Sequence, residues 1–342
     1  MVNSPLEPGR RPRRAMQITQ SVPTVGPLTQ AEFEQRFVRV GRPVVIRGML
    51  ERWPARASWA AERLRTRLGD VVLRGKVSTN HMHPNFLAPS MAQMFRTEER
   101  SVAAWLERML ARDSQRARYL ISGQEEPLVN VRRGQARQTS AKLAALVDDF
   151  ALPPLFDESR LYTIWTWFSG AGVRTWLHFD NNGCDNLNAQ VHGEKRCWLV
   201  PPGQQWRLSP FPLGAAVPAY NCSQVNLESP DLAQFPEFAQ CQGWEGRLEA
   251  GDLLYIPAFW YHAFEHLGRY NANVNFWWRP TETRPSDVAH RWQLHRQCAQ
   301  ALADESESDA HALDGGRFAA QSAAVRAFLS RLDKLALSRP AE

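Results

Sequence analysis

Hydrophobic and polar residues follow two different periods along this chain. Between Leu161 and Trp278 they alternate over short runs that Gly, Pro and Asn interrupt, the period of half-buried β-strands. The runs are Leu161–Ser169, Arg174–Asp180, Asn186–Val191, Lys195–Val200, Leu253–Ile256 and Asn271–Trp278. In the last of them Asn271, Asn273, Asn275 and Trp277 alternate with Ala272, Val274, Phe276 and Trp278, so one strand face is polar and the other apolar. His192-Gly193-Glu194 predicts a hairpin between the third and fourth runs, and residues 203–250 read as a long Pro-rich excursion. Many short antiparallel strands in one segment predict a sandwich or a jelly roll.

Helical spacing appears on either side. Thr29-Gln30-Ala31-Glu32 has the form of a capping box at a helix start. Arg42–Gly48 reads as a buried strand ending in a Gly turn, followed by a helix that Gly69 closes. A strand over 71–78, a helix over 90–112, a strand over Arg118–Ser122, a polar loop over 123–142 and a helical or irregular stretch over 143–157 complete the first half. After the strands, 286–303 and 316–337 read as two helices. The second carries Phe318, Val325, Phe328, Leu329, Leu332 and Leu335 as an apolar stripe, which predicts a homodimer paired about a two-fold axis. The expected fold is therefore mainly β with flanking helices: a disordered basic arm (1–20), an N-terminal α/β portion packing on the barrel (21–160), a jelly-roll core (161–280) and a C-terminal helical, dimerising region (281–342).

Composition narrows the class. The 342 residues are 44% hydrophobic and 22% charged, ordinary for a globular protein. No apolar run approaches the roughly 20 residues of a membrane span, and no signal-peptide h-region is visible, so a cytoplasmic location is expected. The five Cys are widely spaced without C-x-x-C, which suggests neither a zinc ribbon nor a disulfide framework. The net charge is +6, and nearly all the positive charge is Arg; Lys occurs only at Lys76, Lys142, Lys195 and Lys334, so each is worth locating. The arm Gly9–Arg14 leaves two readings open, RNA contact or a solvated tail.

The candidate chemistry lies in Thr175–Asp180. His178 and Asp180 form H-x-D, and residues two apart on a strand share a face. With a second histidine, His262, they would make the two-histidine, one-carboxylate set of a non-haem Fe(II) site. The tripeptide alone reads rather as a charged pair on a surface strand. His81 and His83 have a metal-like spacing but lie in a polar loop beside Pro84. His266 follows His262 by four, a spacing that suits zinc on a helix; the segment does not read as a helix.

The neighbouring segments carry a resemblance. Asn186–Cys197, Gly251–His262 and Val274–Trp277, with Arg42–Gly48 and Ser223–Pro236, resemble the JmjC, cupin-like oxygenases that use Fe(II) and 2-oxoglutarate, and most of all the small hydroxylases similar to the asparaginyl hydroxylase of hypoxia-inducible factor. The resemblance runs over about residues 28–280. It implies that His178, Asp180 and His262 bind iron. It implies that Lys195 pairs with the far carboxylate of 2-oxoglutarate, assisted by Thr175 and Tyr119, and that Asn186 and Asn275 lie beside the metal-bound carboxylate. It further implies hydroxylation of a protein or peptide side chain, with succinate and CO2 as co-products. Alternatives are an RNA-directed hydroxylase and a non-catalytic cupin-like binding protein. The stretch Asn181–Asp185 is longer than in that hydroxylase, and Asn221-Cys222 stands where it carries an Arg-Gln pair, so its particular substrate does not follow.

Overall fold

The computed structural model describes residues 16–78, 96–111, 118–122, 127–131, 138–180, 183–211 and 221–280. The arm up to residue 15, the His81/His83 pair and the helices expected after residue 280, with the dimer stripe, lie outside the described residues.

In chain order the elements are β1 (Gln17–Ser21), β2 (Thr24–Val25), α1 (Gln30–Phe33), β3 (Val44–Ile46), α2 (Ala55–Ser58), α3 (Ala61–Leu68), β4 (Val72–Ser78), β5 (Arg96–Ser101), α4 (Val102–Leu110), β6 (Arg118–Ser122), β7 (Val129–Asn130), β8 (Gln138–Thr139), β9 (Leu161–Gly170), β10 (Asp185–His192), β11 (Lys195–Val200), β12 (Gln242–Leu248), β13 (Leu253–Ile256), β14 (Tyr261–His266) and β15 (Tyr270–Trp278). The strands form a small sheet, β1-β12-β11-β14, and a large one, β2-β3-β13-β10-β15-β9-β6-β4-β5. Two sheets closed over a shared interior make the jelly roll that the strand spacing predicts.

Alternation decides what each layer buries. The outward residues of β10 and β15 (Leu187, Ala189, Val191, Ala272, Val274, Phe276) pack under Phe33, Trp53, Trp59 and Trp105 of the N-terminal portion. The Thr29 capping box forms as expected and starts α1, which delivers Phe33 edge-on to Tyr255. The outer face of the small sheet, with Trp198, Val200 and Tyr261, is covered by Leu208, Val225 and Phe238 from the Pro-rich excursion. Between the sheets, Cys197, Leu199, Leu254, Ile256 and Phe264 form an apolar plug. The rest of the interior is polar, because β15 turns Asn271, Asn273 and Asn275 inward.

Several expectations need correction. β10 and β11 do not pair as a hairpin: β10 bonds to β13 and β15, and β11 to β12 and β14. Gly193 (φ 76°) makes a corner between the sheets, and a Cβ there would collide with Asn271 and Tyr270. Arg96–Ser101 is a strand, not helix. It is the edge of the large sheet, its charges anchored on Glu98, which binds Arg96, Arg100 and Arg108; edge strands tolerate such charge. Ser101 then caps α4, so the helix starts at Val102. The arm's last residues belong to β1, parallel to β12, so the fold begins before residue 20. β12 and β14 carry too little alternation, or too short a run, to stand out in the chain.

Arg174–Asp180 is not a regular strand either. It is an extended arm held by isolated bridges, Arg174 to Glu265 and His178 to both Cys222 and His262. The Thr175 hydroxyl oxygen accepts the Phe264 N–H at 2.8 Å, a bond that a regular ladder would give to a carbonyl. That side-chain substitution breaks the ladder.

Candidate metal centre

His178 and His262 face each other across one bridge, each backbone N–H donating to the other's carbonyl at 3.1 and 2.7 Å. Each ring is oriented by the carbonyl two residues before it. His178 Nδ1 lies 3.0 Å from the Trp176 carbonyl, and His262 Nδ1 lies 3.0 Å from the Trp260 carbonyl. A carbonyl only accepts, so each Nδ1 carries the proton and each Nε2 presents a lone pair. Burial, reinforced by His262, pushes the His178 imidazole down to about 4, which keeps it neutral and ligand-ready. Asp180 Oδ1 lies 4.0 Å from His178 Nε2 and 3.7 Å from His262 Nε2, and the three donor atoms fall within 4.8 Å of one another. These residues fit a divalent metal of the iron type: two imidazoles and one carboxylate on one side, with tautomers already set.

The second oxygen of Asp180 is held elsewhere. Oδ2 accepts from Asn186 Nδ2 and from Trp277 Nε1, both at 2.8 Å. The carboxylate therefore offers one oxygen to a metal. Asn186→Ala combined with Trp277→Phe is expected to weaken metal affinity by about 10–100-fold while leaving the fold intact, since partners of a ligand contribute on that scale. A metal titration monitored by calorimetry checks this.

The bonding continues inward. Asn275 Nδ2 donates to Asn186 Oδ1 at 3.0 Å, Asn273 Nδ2 donates to Asn275 Oδ1, and Lys195 Nζ donates to Asn273 Oδ1. Every amide points its oxygen toward the ammonium and its nitrogen toward the carboxylate. The two end charges thus fix the direction of the whole chain. Lys195 is 2% exposed and makes no ion pair among the described residues. Its ammonium has Phe264 at 5.4 Å from the ring centre, and burial pushes it down to about 7. A buried base without an acid partner is costly; an incoming anion would relieve that cost.

Of the residues picked out in the sequence, the structure brings His178, Asp180, His262, Asn186, Asn275 and Lys195 into this one network. Thr175 lies on the same arm, its oxygen engaged with Phe264 N–H. Tyr119, on β6, pairs with Val77 of β4, and its side chain lies outside the described residues.

Other residues of the site escaped the sequence reading. Trp277 and Asn273 were visible only as members of a polar face. Trp165 and Trp167 stand opposite Asn275 and Asn273 in register, their rings 6.0 Å apart and 23° from parallel, and form an aromatic wall. Lys76 reaches the rim, 6.0 Å from the Trp176 ring, and burial pushes its ammonium down to about 8. The scarcity of lysine was the one signal that could have found it. A cleft of about 1170 Å³ outside the small sheet is walled by Arg174, Arg196, Glu228, Glu245 and Glu265. Its charges pair with one another, and none of the metal donors opens on it.

Residues 30–284 match the family described as cupin-like domain. The zebrafish (Danio rerio) tRNA wybutosine-synthesizing protein 5 is 31% identical over 179 residues, 51% of this chain and 52% of that protein. Its human (Homo sapiens) counterpart is 25% identical over 269 residues, 75% of this chain and 78% of that protein. Lysine-specific demethylase 8 of Xenopus tropicalis is 25% identical over 251 residues, 72% of this chain and 50% of that protein. The chain thus spans about half the length of two of these three relatives.

Proposed function

The chain belongs to the cupin-like domain family, and on that premise we propose that it is an Fe(II)- and 2-oxoglutarate-dependent oxygenase that hydroxylates a protein or peptide side chain, releasing succinate and CO2. Fe(II) and 2-oxoglutarate are the cofactors of the JmjC oxygenases in this family; together they supply O2 activation and removal of a hydrogen atom from the substrate. The observation that carries the reading is the unbroken side-chain path from Lys195 to Asp180, which ties a buried base to a converging His-Asp-His set.

The chain's own residues then have separate tasks. His178, Asp180 and His262 would hold the metal through two imidazole nitrogens and one carboxylate oxygen. Lys195 would anchor the far carboxylate of the oxo acid, next to the apolar plug of Leu199, Leu254 and Phe264. Trp165 and Trp167 form the aromatic wall opposite Asn275 and Asn273.

An RNA-directed hydroxylase is the second reading. It is favoured by the coverage of the human wybutosine-synthesizing protein, which spans most of both chains. Incubating the protein with Fe(II), 2-oxoglutarate and either a peptide library or transfer RNA, followed by mass spectrometry, separates the two. A gain of one oxygen atom on a peptide supports the first reading. The same gain on a nucleoside replaces it with the second. Substrate-independent absence of succinate refutes both.

A further inference from the structure

Lys195 is not alone at its end of the interior. β11 and β14 set His266 directly opposite Lys195, and residues opposite each other in an antiparallel pair share a face. That face also carries His262. His266 is 3% exposed. Its Nδ1 makes a short hydrogen bond with Ser169 Oγ of β9, and its Nε2 makes none among the described residues. Like Lys195, it forms no ion pair among them. The acid next to it on β14, Glu265, turns outward to Arg174 and Arg196. Asn271, opposite Ser169 on β15, is committed to the Gly268 carbonyl and the Glu194 N–H. Two buried bases thus stand opposite each other, with no acid paired to either among the described residues.

The partner of Nδ1 distinguishes His266 from the metal-site histidines. There, a carbonyl faces each Nδ1 and can only accept. Here a hydroxyl faces it, and the hydroxyl has no other acceptor among the described residues. Ser169 O–H therefore donates to Nδ1, and the proton of the neutral ring resides on Nε2. His178 and His262 present lone pairs; His266 presents an N–H beside the Lys195 ammonium. An N–H and an ammonium on one buried face suit a carboxylate.

We propose that His266, its tautomer set by Ser169, is a second donor to the far carboxylate of the oxo-acid co-substrate, acting beside Lys195. This rests on the function proposed above. His266 contacts the co-substrate, and Ser169 is a positioning residue.

The test measures binding of 2-oxoglutarate and of 2-oxobutyrate, which keeps the chelating end and lacks the far carboxylate, to the Mn(II)-loaded protein by tryptophan fluorescence. His266→Ala should weaken 2-oxoglutarate binding by about tenfold or more, the size of one hydrogen bond to a charged group, and leave 2-oxobutyrate unchanged. His266→Gln, which keeps an N–H, should recover much of the loss. Ser169→Ala should give a smaller loss with the same selectivity for the longer acid. Undiminished 2-oxoglutarate binding in His266→Ala overturns the inference. So does an equal loss for both acids, which would make His266 a packing residue. If the unmutated protein binds neither oxo acid, the proposed function itself fails, a result distinct from the other two.

Discussion

His178→Ala is expected to lose tight Fe(II) binding and succinate formation together. The variant removes one of three donors that converge within 4.8 Å and leaves Asp180 with a single histidine partner. Changing a residue that merely supports a ligand costs about 10–100-fold in metal affinity; loss of a ligand should exceed that. His262→Ala should behave alike, since the two rings are arranged the same way, each Nδ1 tied to a carbonyl two residues back. The fold should survive, because the apolar clusters on the outer faces of both sheets include neither ring. Calorimetric metal titration and succinate detection by NMR check both halves. Unchanged succinate production in His178→Ala would rule out this site.

The second large effect concerns Lys195. Lys195→Ala should weaken 2-oxoglutarate binding by about 2–5 kcal/mol, the cost of breaking a buried charge pair, or roughly 30-fold to several thousand-fold. Metal binding should largely persist, because Asn186 and Trp277 still hold Asp180. The native protein should also show a pH signature. Burial holds the free ammonium at about 7, and a bound carboxylate raises it. Above pH 7, binding must therefore take up a proton, and affinity should fall by up to about tenfold per pH unit until the raised value is reached. Below pH 7 this contribution is flat.

The unliganded protein should run the other way. The folded-state value of Lys195 lies below the unfolded one of about 10.4. The folded state therefore binds fewer protons, and stability should rise as pH climbs from about 7 toward 10. Lys76, held at about 8, adds in the same direction. Fluorescence titrations and thermal unfolding across pH 6–10 measure both slopes. A pH-independent affinity for 2-oxoglutarate, or equal affinity in Lys195→Ala, would place Lys195 outside the pocket.

How much of this was legible in the chain varies by element. β15 was readable in full: a strict alternation of Asn with apolar residues names the strand, its two faces and the polar lining at once. The same holds for β13 after the Gly251 turn and for the capping box at Thr29, where a local rule is enough. The metal set was legible because its residue types are few and because several separated motifs around them agree. Lys195 was legible as the inward first residue of a strand. What alternation cannot state is which strand lies next to which. β10 and β11 follow each other through Gly193 and still belong to different sheets, because pairing depends on partners up to 93 residues away. The arm from Arg174 to Asp180 alternates like a strand, yet the Thr175 hydroxyl takes a bond that the ladder needs.

The sequence by itself determined the two-sheet class and the polar character of the interior, since each follows from residue type and spacing within one segment; the metal donors, drawn from two distant segments, were named only through the family resemblance. Only the tertiary structure decided that Lys195, Asn273, Asn275, Asn186 and Asp180 join in one directed chain, that Lys76 reaches the rim, and that His266 stands beside Lys195 rather than serving as a spare histidine. Each of these is a contact between side chains that the chain brings together from separate strands. A period fixes the face on which a side chain stands; the partner it meets there depends on how two sheets close over one interior.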